Sequence, residues 1–305
     1  MKDVIIIGAG PAGLSAAIYG KRSGLDLVVL ERLSPGGQVM NTYEVENYPG
    51  FVEPVAGWEL MSRMEGQARR LGAEIMGADV LLVARDGDGL FTVTPGEGPA
   101  MRAKAVIAAA GASYRRLKVP GEDEYIGHGV SFCATCDGAF YKNRVCAVIG
   151  GGDTALEEAH FLTRFASTVY LIHRRERYRG VKVLQDRVMA SSAIVPVLNT
   201  VVERINGSTS VESISLKNVK TGETSSLKVD GVFIFVGFDA NAKFLPPEIL
   251  TESGEVIADM RMRTPVRGLF AAGDLRSGSR RQIVMAAADG AVAALEVYDY
   301  ILSLT

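Results

Sequence analysis

Val4-Ile5-Ile6-Ile7-Gly8-Ala9-Gly10-Pro11-Ala12-Gly13 stands near the start of the chain and decides how the rest is read. Four apolar residues in a row suit a strand buried on both faces of a parallel sheet. The glycines follow at once, and residues 14–22 then carry a helical pattern that stops at Gly24. In a Gly-x-Gly-x-x-Gly turn between strand and helix, the first glycine makes the turn. The second admits a pyrophosphate to the backbone, and the third lets helix and strand pack closely. The helix N-terminus favours the phosphate charge. A second strand, residues 27–30, ends at Glu31, whose carboxylate can accept hydrogen bonds from a ribose diol. The competing reading is a tight turn that holds no ligand.

The pattern is written twice, which favours the dinucleotide reading. Residues 145–150 form a second apolar strand, followed by Gly150-Gly151-Gly152-Asp153-Thr154-Ala155, a helical stretch to about residue 165, and a strand over 169–172 that ends at His173. Each copy closes on a buried strand that reaches a glycine, residues 105–112 in one and 231–238 in the other. Turn residues around 86–89 and 221–223 mark the hairpins before those strands. A last segment, the strand over 269–272 with Gly273-Asp274 and a helical run over 282–302, has no counterpart before residue 145. It returns to complete the first domain. The expected fold is α/β, with two Rossmann-like dinucleotide-binding domains of three-layer ββα type, the second inserted in the first. Residues 1–114 and 247–305 form one domain and 115–246 the other, with crossings near 114–118 and 243–247 that together make a hinge. In two-dinucleotide flavoproteins the Asp of such a Gly-Asp pair contacts the flavin's ribityl and phosphate region, so FAD is the expected ligand of the first motif. A plain helix cap is the alternative for Asp274.

The second motif has Ala155 at its third small position, which is allowed and does not decide the cofactor. The end of the following strand is more informative. A site for NAD places a carboxylate there, whereas a 2′-phosphate needs cations. Here the strand runs into His173-Arg174-Arg175, with Arg179 about one turn on. A charge run is usually a solvated surface, but this one falls where an adenosine ribose would lie, so the ligand read here is NADPH. Arg174 and Arg175 are the expected phosphate ligands, Arg179 a further clamp, and Arg177 a solvated residue.

Cys133-Ala134-Thr135-Cys136 carries the sharpest chemistry. Zinc needs four ligands, and only His128 and a strand-borne Cys146 lie near. A structural disulfide would close too small a loop to stabilise much. Two buried thiols packed by chance leave the spacing unexplained. A redox dithiol explains it, because the short loop keeps both sulfurs within bonding reach and a helix N-terminus or the neighbouring sulfur can lower one thiol pKa. Asp137 follows directly. Reducing a disulfide needs protons delivered to sulfur, and a carboxyl group can supply them. A turn Asp before Gly138 is the alternative. Cys146 reads as a small buried apolar residue.

The bulk numbers exclude other classes. A net charge of −2 gives no basic footprint for nucleic acid or an anionic membrane. No apolar run is long enough for a bilayer, and the short run before Gly8 is no signal peptide. Three cysteines do not make a secreted disulfide framework. The cytoplasm is the expected compartment.

At Cys133-Ala134-Thr135-Cys136-Asp137-Gly138, with the two glycine motifs around it, the chain resembles the bacterial low-molecular-weight thioredoxin reductases. The likeness runs from residue 4 to about 302. Its elements come in that family's order: Gly8 to Gly13, Pro35-Gly36-Gly37-Gln38, Glu44-Val45-Glu46-Asn47-Tyr48-Pro49-Gly50, the cysteine motif, Gly150 to Ala155, the basic cluster, Gly273-Asp274 and Arg281-Gln282. The resemblance implies FAD and NADPH domains, a homodimer, and thioredoxin or a thioredoxin-like protein as partner. Candidate FAD contacts are then Gly8, Gly10, Pro11, Ala12, Gly13, Glu31, Arg32, Gly37, Gln38, Asn47, Ala110, Gly111, Gly273, Asp274, Arg281, Gln282 and Ile283. Candidate NADPH contacts are Gly150, Gly152, Asp153, Thr154, Ala155, His173, Arg174, Arg175 and Arg179. The catalytic set is Cys133, Cys136 and Asp137, with Cys136 nearest the flavin and attacking the partner while Cys133 closes the internal disulfide. Ala110 stands where that family often has Thr, at the cost of a hydrogen bond near the flavin, and Asp153 occupies a position that varies in the family. A relative that serves a peroxide-reducing system carries an added N-terminal region, which is not expected here.

The thiols and the nicotinamide belong to one domain and the flavin to the other. Hydride transfer needs atoms about 3–3.5 Å apart, and thiol–flavin chemistry is as demanding. Two domain orientations are therefore expected, one for each half-reaction. Two rival functions use the same scaffold. An NADPH oxidase or ferredoxin-type reductase would not need the cysteines, and a redox sensor would bind dinucleotides without steady turnover.

Overall fold

The computed structural model describes every residue except Tyr43, Glu44 and Thr305, so Glu44 of the family motif lies outside the described residues. The chain divides into two compact units, Met1–Ser113 with Asp239–Thr305, and Tyr114–Phe238.

Along the first unit run β1 (Lys2–Ile7), α1 (Pro11–Arg22), β2 (Leu27–Glu31), α2 (Gly57–Arg70), β3 (Glu74–Gly77), β4 (Val80–Arg85), β5 (Phe91–Pro95) and β6 (Met101–Ala108). Strand order is β3-β2-β1-β6-β5-β4, with β1 parallel to both neighbours and Ile5 opposite Val28 and Val106. The apolar run of β1 fills two cores, because successive side chains point to opposite faces. Val4 and Ile6 pack with residues of α1 and α2, while Ile5 and Ile7 pack with Val83, Phe91 and Val93 of the antiparallel meander. Each fully buried Ile contributes about 1.5–3 kcal/mol, which is why no polar residue interrupts the run.

The chain leaves through β7 (Ala112–Tyr114) and enters the second unit: β8 (Val130–Ser131), α3 (Ala134–Asp137), β9 (Val145–Gly150), α4 (Asp153–Leu162), β10 (Thr168–Ile172), α5 (Lys182–Met189), β11 (Ile194–Val197), β12 (Thr200–Gly207), β13 (Val211–Asn218), β14 (Thr224–Lys228) and β15 (Gly231–Phe235). The sheet order β11-β10-β9-β15-β8 is parallel throughout, and β12-β13-β14 form a separate antiparallel sheet. The alternation repeats: Cys146 and Val148 face the helices, and Ala147 and Ile149 face the three-stranded sheet.

The chain returns through β16 (Phe238–Ala240), which pairs with β7, then adds β17 (Leu269–Ala271) beside β6 and α6 (Ile283–Leu302) against α1. The second crossing comes earlier than the expected 243–247. Ala242, Leu245 and Ile249 already pack in the apolar core of the first unit. Their i, i+3, i+7 spacing is helical, but Pro246 and Pro247 fall within it and break the pattern. No helix among the described residues is long and apolar enough to cross a membrane.

Candidate functional site

In the first unit, β1 ends at Gly8 with φ +104°, where a Cβ would stand 2.4 Å from the Ala109 carbonyl oxygen. A Cβ on Gly13 would stand 1.8 Å from the Gly8 oxygen, so helix and strand meet only without one. Gly10 begins α1 with extended backbone and no side-chain cap, and its nearest neighbour is Gly37. The amide donors of the helix N-terminus thus open onto a cradle free of side chains, which fits a pyrophosphate. Glu31 is held in place: Oε2 accepts from the Ala9 amide at 2.7 Å and Oε1 from the Leu33 amide at 2.9 Å. Its remaining lone pairs can take a ribose diol.

Other expected FAD residues meet in pairs. Gln38 Nε2 donates to the Ala112 carbonyl at 2.6 Å, and Asn47 Nδ2 donates to Gln282 Oε1 at 3.1 Å. Gln282 precedes α6, and Ile283 opens that helix and packs on the core. Gly273 comes so close to Ala12 that a Cβ would stand 2.9 Å from the alanine methyl. Asp274 accepts from the Ser279 hydroxyl at 3.1 Å, and burial pushes its carboxyl up against that bond and nearby Arg281. Arg32 is exposed beside Glu31. Two supporting residues escaped the sequence reading. Asp289 on α6 accepts from the Gly273 amide at 3.1 Å and from Arg276 at 2.9 Å. Asn241 donates to the Ala110 carbonyl at 2.9 Å, and its amide donates to the Gly111 carbonyl at 3.0 Å. All four bonds join residues well separated in the chain, and no local spacing announces them.

In the second unit a Cβ on Gly150 would stand 2.4 Å from the Phe235 oxygen and 2.6 Å from the Ala155 methyl, so Ala155 fills the third small position by packing on the first. Gly152 begins α4 with open space on its Cβ side. Arg174, Arg175 and Arg179 are exposed and make no ion pair among the described residues, as a phosphate clamp requires. Their loop is tied to the glycine turn. Gly151 O accepts from the Arg179 amide at 2.6 Å and the Gly180 amide at 3.1 Å, and Asp153 Oδ1 accepts from the Val181 amide at 2.7 Å. Asp153 and its neighbour Thr154 thus begin α4 beside the basic loop, with the Asp153 carboxylate holding that loop in place. His173 lies deeper than the arginines that follow it. It is only 6% exposed, and its ring lies so close to Gly151 that a Cβ there would overlap it at 2.3 Å. Burial, with Arg179, Arg175 and Arg174 around it, holds the imidazole below its ordinary pKa. A neutral ring packed under the turn supports the loop from behind.

Cys133 and Cys136 are joined in a disulfide, with Cα atoms 5.3 Å apart. Cys133 precedes α3, and Ser131 at the end of β8 organises the turn. Ser131 Oγ accepts from the Cys133 amide at 3.1 Å and donates to Asp137 Oδ2 at 2.5 Å. Burial pushes the Asp137 carboxyl up, against the Ser131 bond. A buried carboxyl with raised proton affinity beside a disulfide can hold a proton for a leaving sulfur. Cys146 is fully buried and pushed up to about 12 by burial, so it offers no thiolate.

The raised Asp137 pKa fixes the sign of a pH effect. The folded chain holds this proton more tightly than the unfolded one. That contribution to stability is complete below about pH 4 and is lost as pH rises through the folded pKa. Asp137→Asn keeps an oxygen for Ser131 and removes the buried charge. It is expected to match or exceed the parent's stability at neutral pH in denaturant titrations, while disulfide exchange slows about 100-fold. Unchanged exchange rates would remove Asp137 from proton transfer.

Three comparisons bear on this arrangement. The family described as pyridine nucleotide-disulphide oxidoreductase matches residues 2–290. The chain is 44% identical over 302 residues to a thioredoxin reductase of Treponema pallidum, covering 99% of this chain and 98% of that one. It is 46% identical over 306 residues to a thioredoxin reductase of Bacillus subtilis, covering 99% and 95%. The crystal structure of thioredoxin reductase from Streptococcus pyogenes is similar with a TM-score of 0.94 at 41% identity, covering 99% of each chain.

Proposed function

Because this chain belongs to the pyridine nucleotide-disulphide oxidoreductases, and among them to the thioredoxin reductases, we propose that it uses NADPH and FAD to reduce the disulfide of thioredoxin or a thioredoxin-like protein. The observation that carries the reading is the Cys133–Cys136 disulfide, bonded through Ser131 to a buried carboxyl, in the same unit as a loop whose Arg174, Arg175 and Arg179 make no ion pair among the described residues. FAD, when bound, supplies a carrier that accepts hydride and passes two electrons to a disulfide. Gly10 and the start of α1 would hold its pyrophosphate and Glu31 its ribose. Arg174 and Arg175, with Arg179, would hold the 2′-phosphate of NADPH by charge-assisted hydrogen bonds.

The dithiol then acts by exchange. Cys136 as thiolate attacks the partner disulfide, forms a mixed disulfide, and releases one partner thiolate, which takes a proton. Cys133 loses its proton and attacks the Cys136 sulfur of the mixed bond. The Cys133–Cys136 bond reforms, and the second partner thiol leaves protonated. Asp137 holds the proton that moves in these steps. Nicotinamide and dithiol each need the flavin, so the proposal includes two orientations of the units, one for each half-reaction. It also includes a homodimer working in the cytoplasm.

One plate tests the reading: purified protein with NADPH or NADH and a panel of small disulfide proteins. Steady NADPH consumption on adding thioredoxin, with NADH poor, is the expected result. A chain that oxidises NADPH yet leaves every disulfide protein untouched would be an oxidase on this scaffold.

A further inference from the structure

α4 brings a second carboxylate to the redox turn. It begins at the glycine turn with Asp153 and carries Ala155, Ala159 and Leu162 into the core. Glu158 leaves the same helix on the side that meets α3. Its Oε2 accepts from the Ala134 amide at 2.9 Å, and the Thr135 amide also bonds to this carboxylate. These are the first amides of the turn that separates the two cysteines. A helix N-terminus beside a cysteine ordinarily lends its amides and partial positive charge to the thiolate and lowers its pKa. Here the Cys133 amide goes to Ser131 and the next two go to Glu158, so the donors that would favour a thiolate face a carboxylate instead.

We propose that Glu158 is a positioning residue for the redox pair: by occupying the amides at the start of α3 with a carboxylate, it fixes the Cys133–Cys136 turn and keeps the reduced dithiol protonated until it meets a partner disulfide. The proposal rests on the disulfide-reductase reading and adds a residue to it. The nearby charged groups act in the same direction. Asp137 on α3 and Glu157 on α4 are both acidic, and Tyr141 after α3 has its phenol pushed up by burial and by Asp137. On α5, which also packs on α4, Lys182 and Asp186 pair with each other. His160 stands two residues along α4 and so projects from another side of the helix. Burial pushes the Glu158 carboxyl up while the two amides pull it down, so the ionised form is held at a cost that the turn's geometry partly offsets.

The test is the rate of iodoacetamide alkylation of the reduced protein against pH, with the modified cysteine identified by mass spectrometry. Glu158→Gln keeps an oxygen for the amides and removes the charge. Glu158→Ala removes both. The apparent thiol pKa is expected to fall by about one unit in Glu158→Gln, giving about tenfold more thiolate at a fixed pH below it. An apparent thiol pKa in Glu158→Gln equal to the parent's, or higher, overturns the proposal and leaves Glu158 as a cap alone, whatever Glu158→Ala does to stability. The parent's NADPH consumption with thioredoxin is measured beside it. Failure there sinks the reductase reading, while a null alkylation shift with normal turnover sinks only the role of Glu158.

Discussion

Cys136→Ser is expected to lower thioredoxin reduction about ten-thousandfold or more, while NADPH oxidation by oxygen or a quinone continues. The two activities separate because they need different parts. Direct oxidation needs only the dinucleotide sites proposed at the glycine turns, Glu31 and the arginine loop. Partner reduction needs a sulfur that can form a mixed disulfide, and a serine hydroxyl cannot. The third cysteine offers no detour. Cys146 lies wholly buried in β9, its thiol pushed up to about 12. Parallel measurement of NADPH absorbance with thioredoxin and with a quinone checks the result. Thioredoxin reduction that survives the substitution would mean electrons leave by a route other than the sulfurs.

The double variant Arg174→Ala with Arg175→Ala is expected to lower kcat/KM for NADPH by about 100-fold or more and to leave kcat/KM for NADH nearly unchanged. Each charge-assisted hydrogen bond to a phosphate is worth about 1.5–3 kcal/mol, and about 1.4 kcal/mol is a factor of ten. Both side chains are exposed and hold no partner among the described residues, so removing them costs the fold little. Their backbone stays in place because the loop is tied at Gly151 and Asp153, not through the guanidinium groups. Equal losses with both nucleotides would show that the arginines act on the whole cofactor or on the loop, and not on the 2′-phosphate.

The strands and turns were legible because each is a local pattern. The apolar run of β1, its echo in β9, and the glycines after each are imposed by two-sided burial and by backbone approach, and both leave their mark within ten residues. The disulfide was legible from its spacing. What stayed hidden depends on side chains that reach across the fold. Glu158 finds the Ala134 amide, Asn241 finds the Ala110 carbonyl, and Asp289 finds the Gly273 amide. A carboxylate on a helix face reads as solvated until its partner is known. The burial of His173 was hidden for a related reason. It stands directly after β10, and its ring stays with the core while Arg174, Arg175 and Arg179 are exposed. The crossing at Phe238–Asp239 was hidden because the segment after it holds only a three-residue strand and one short helical turn, too brief to leave a sustained pattern.

The host unit is interrupted, with residues 1–113 before the insertion and 239–305 after it. β17 and α6, the last strand and helix of the chain, supply a sheet neighbour for β6 and cover α1, where Gly290 approaches so closely that a Cβ would stand 1.9 Å from the Ala12 oxygen. Synthesis proceeds from the N-terminus and units fold as they emerge. The sulfur-bearing unit is therefore whole while its host still lacks a strand and a helix. During that interval the apolar face of α1 waits uncovered, so the ribosome-bound chain is most exposed to aggregation in the half that begins it.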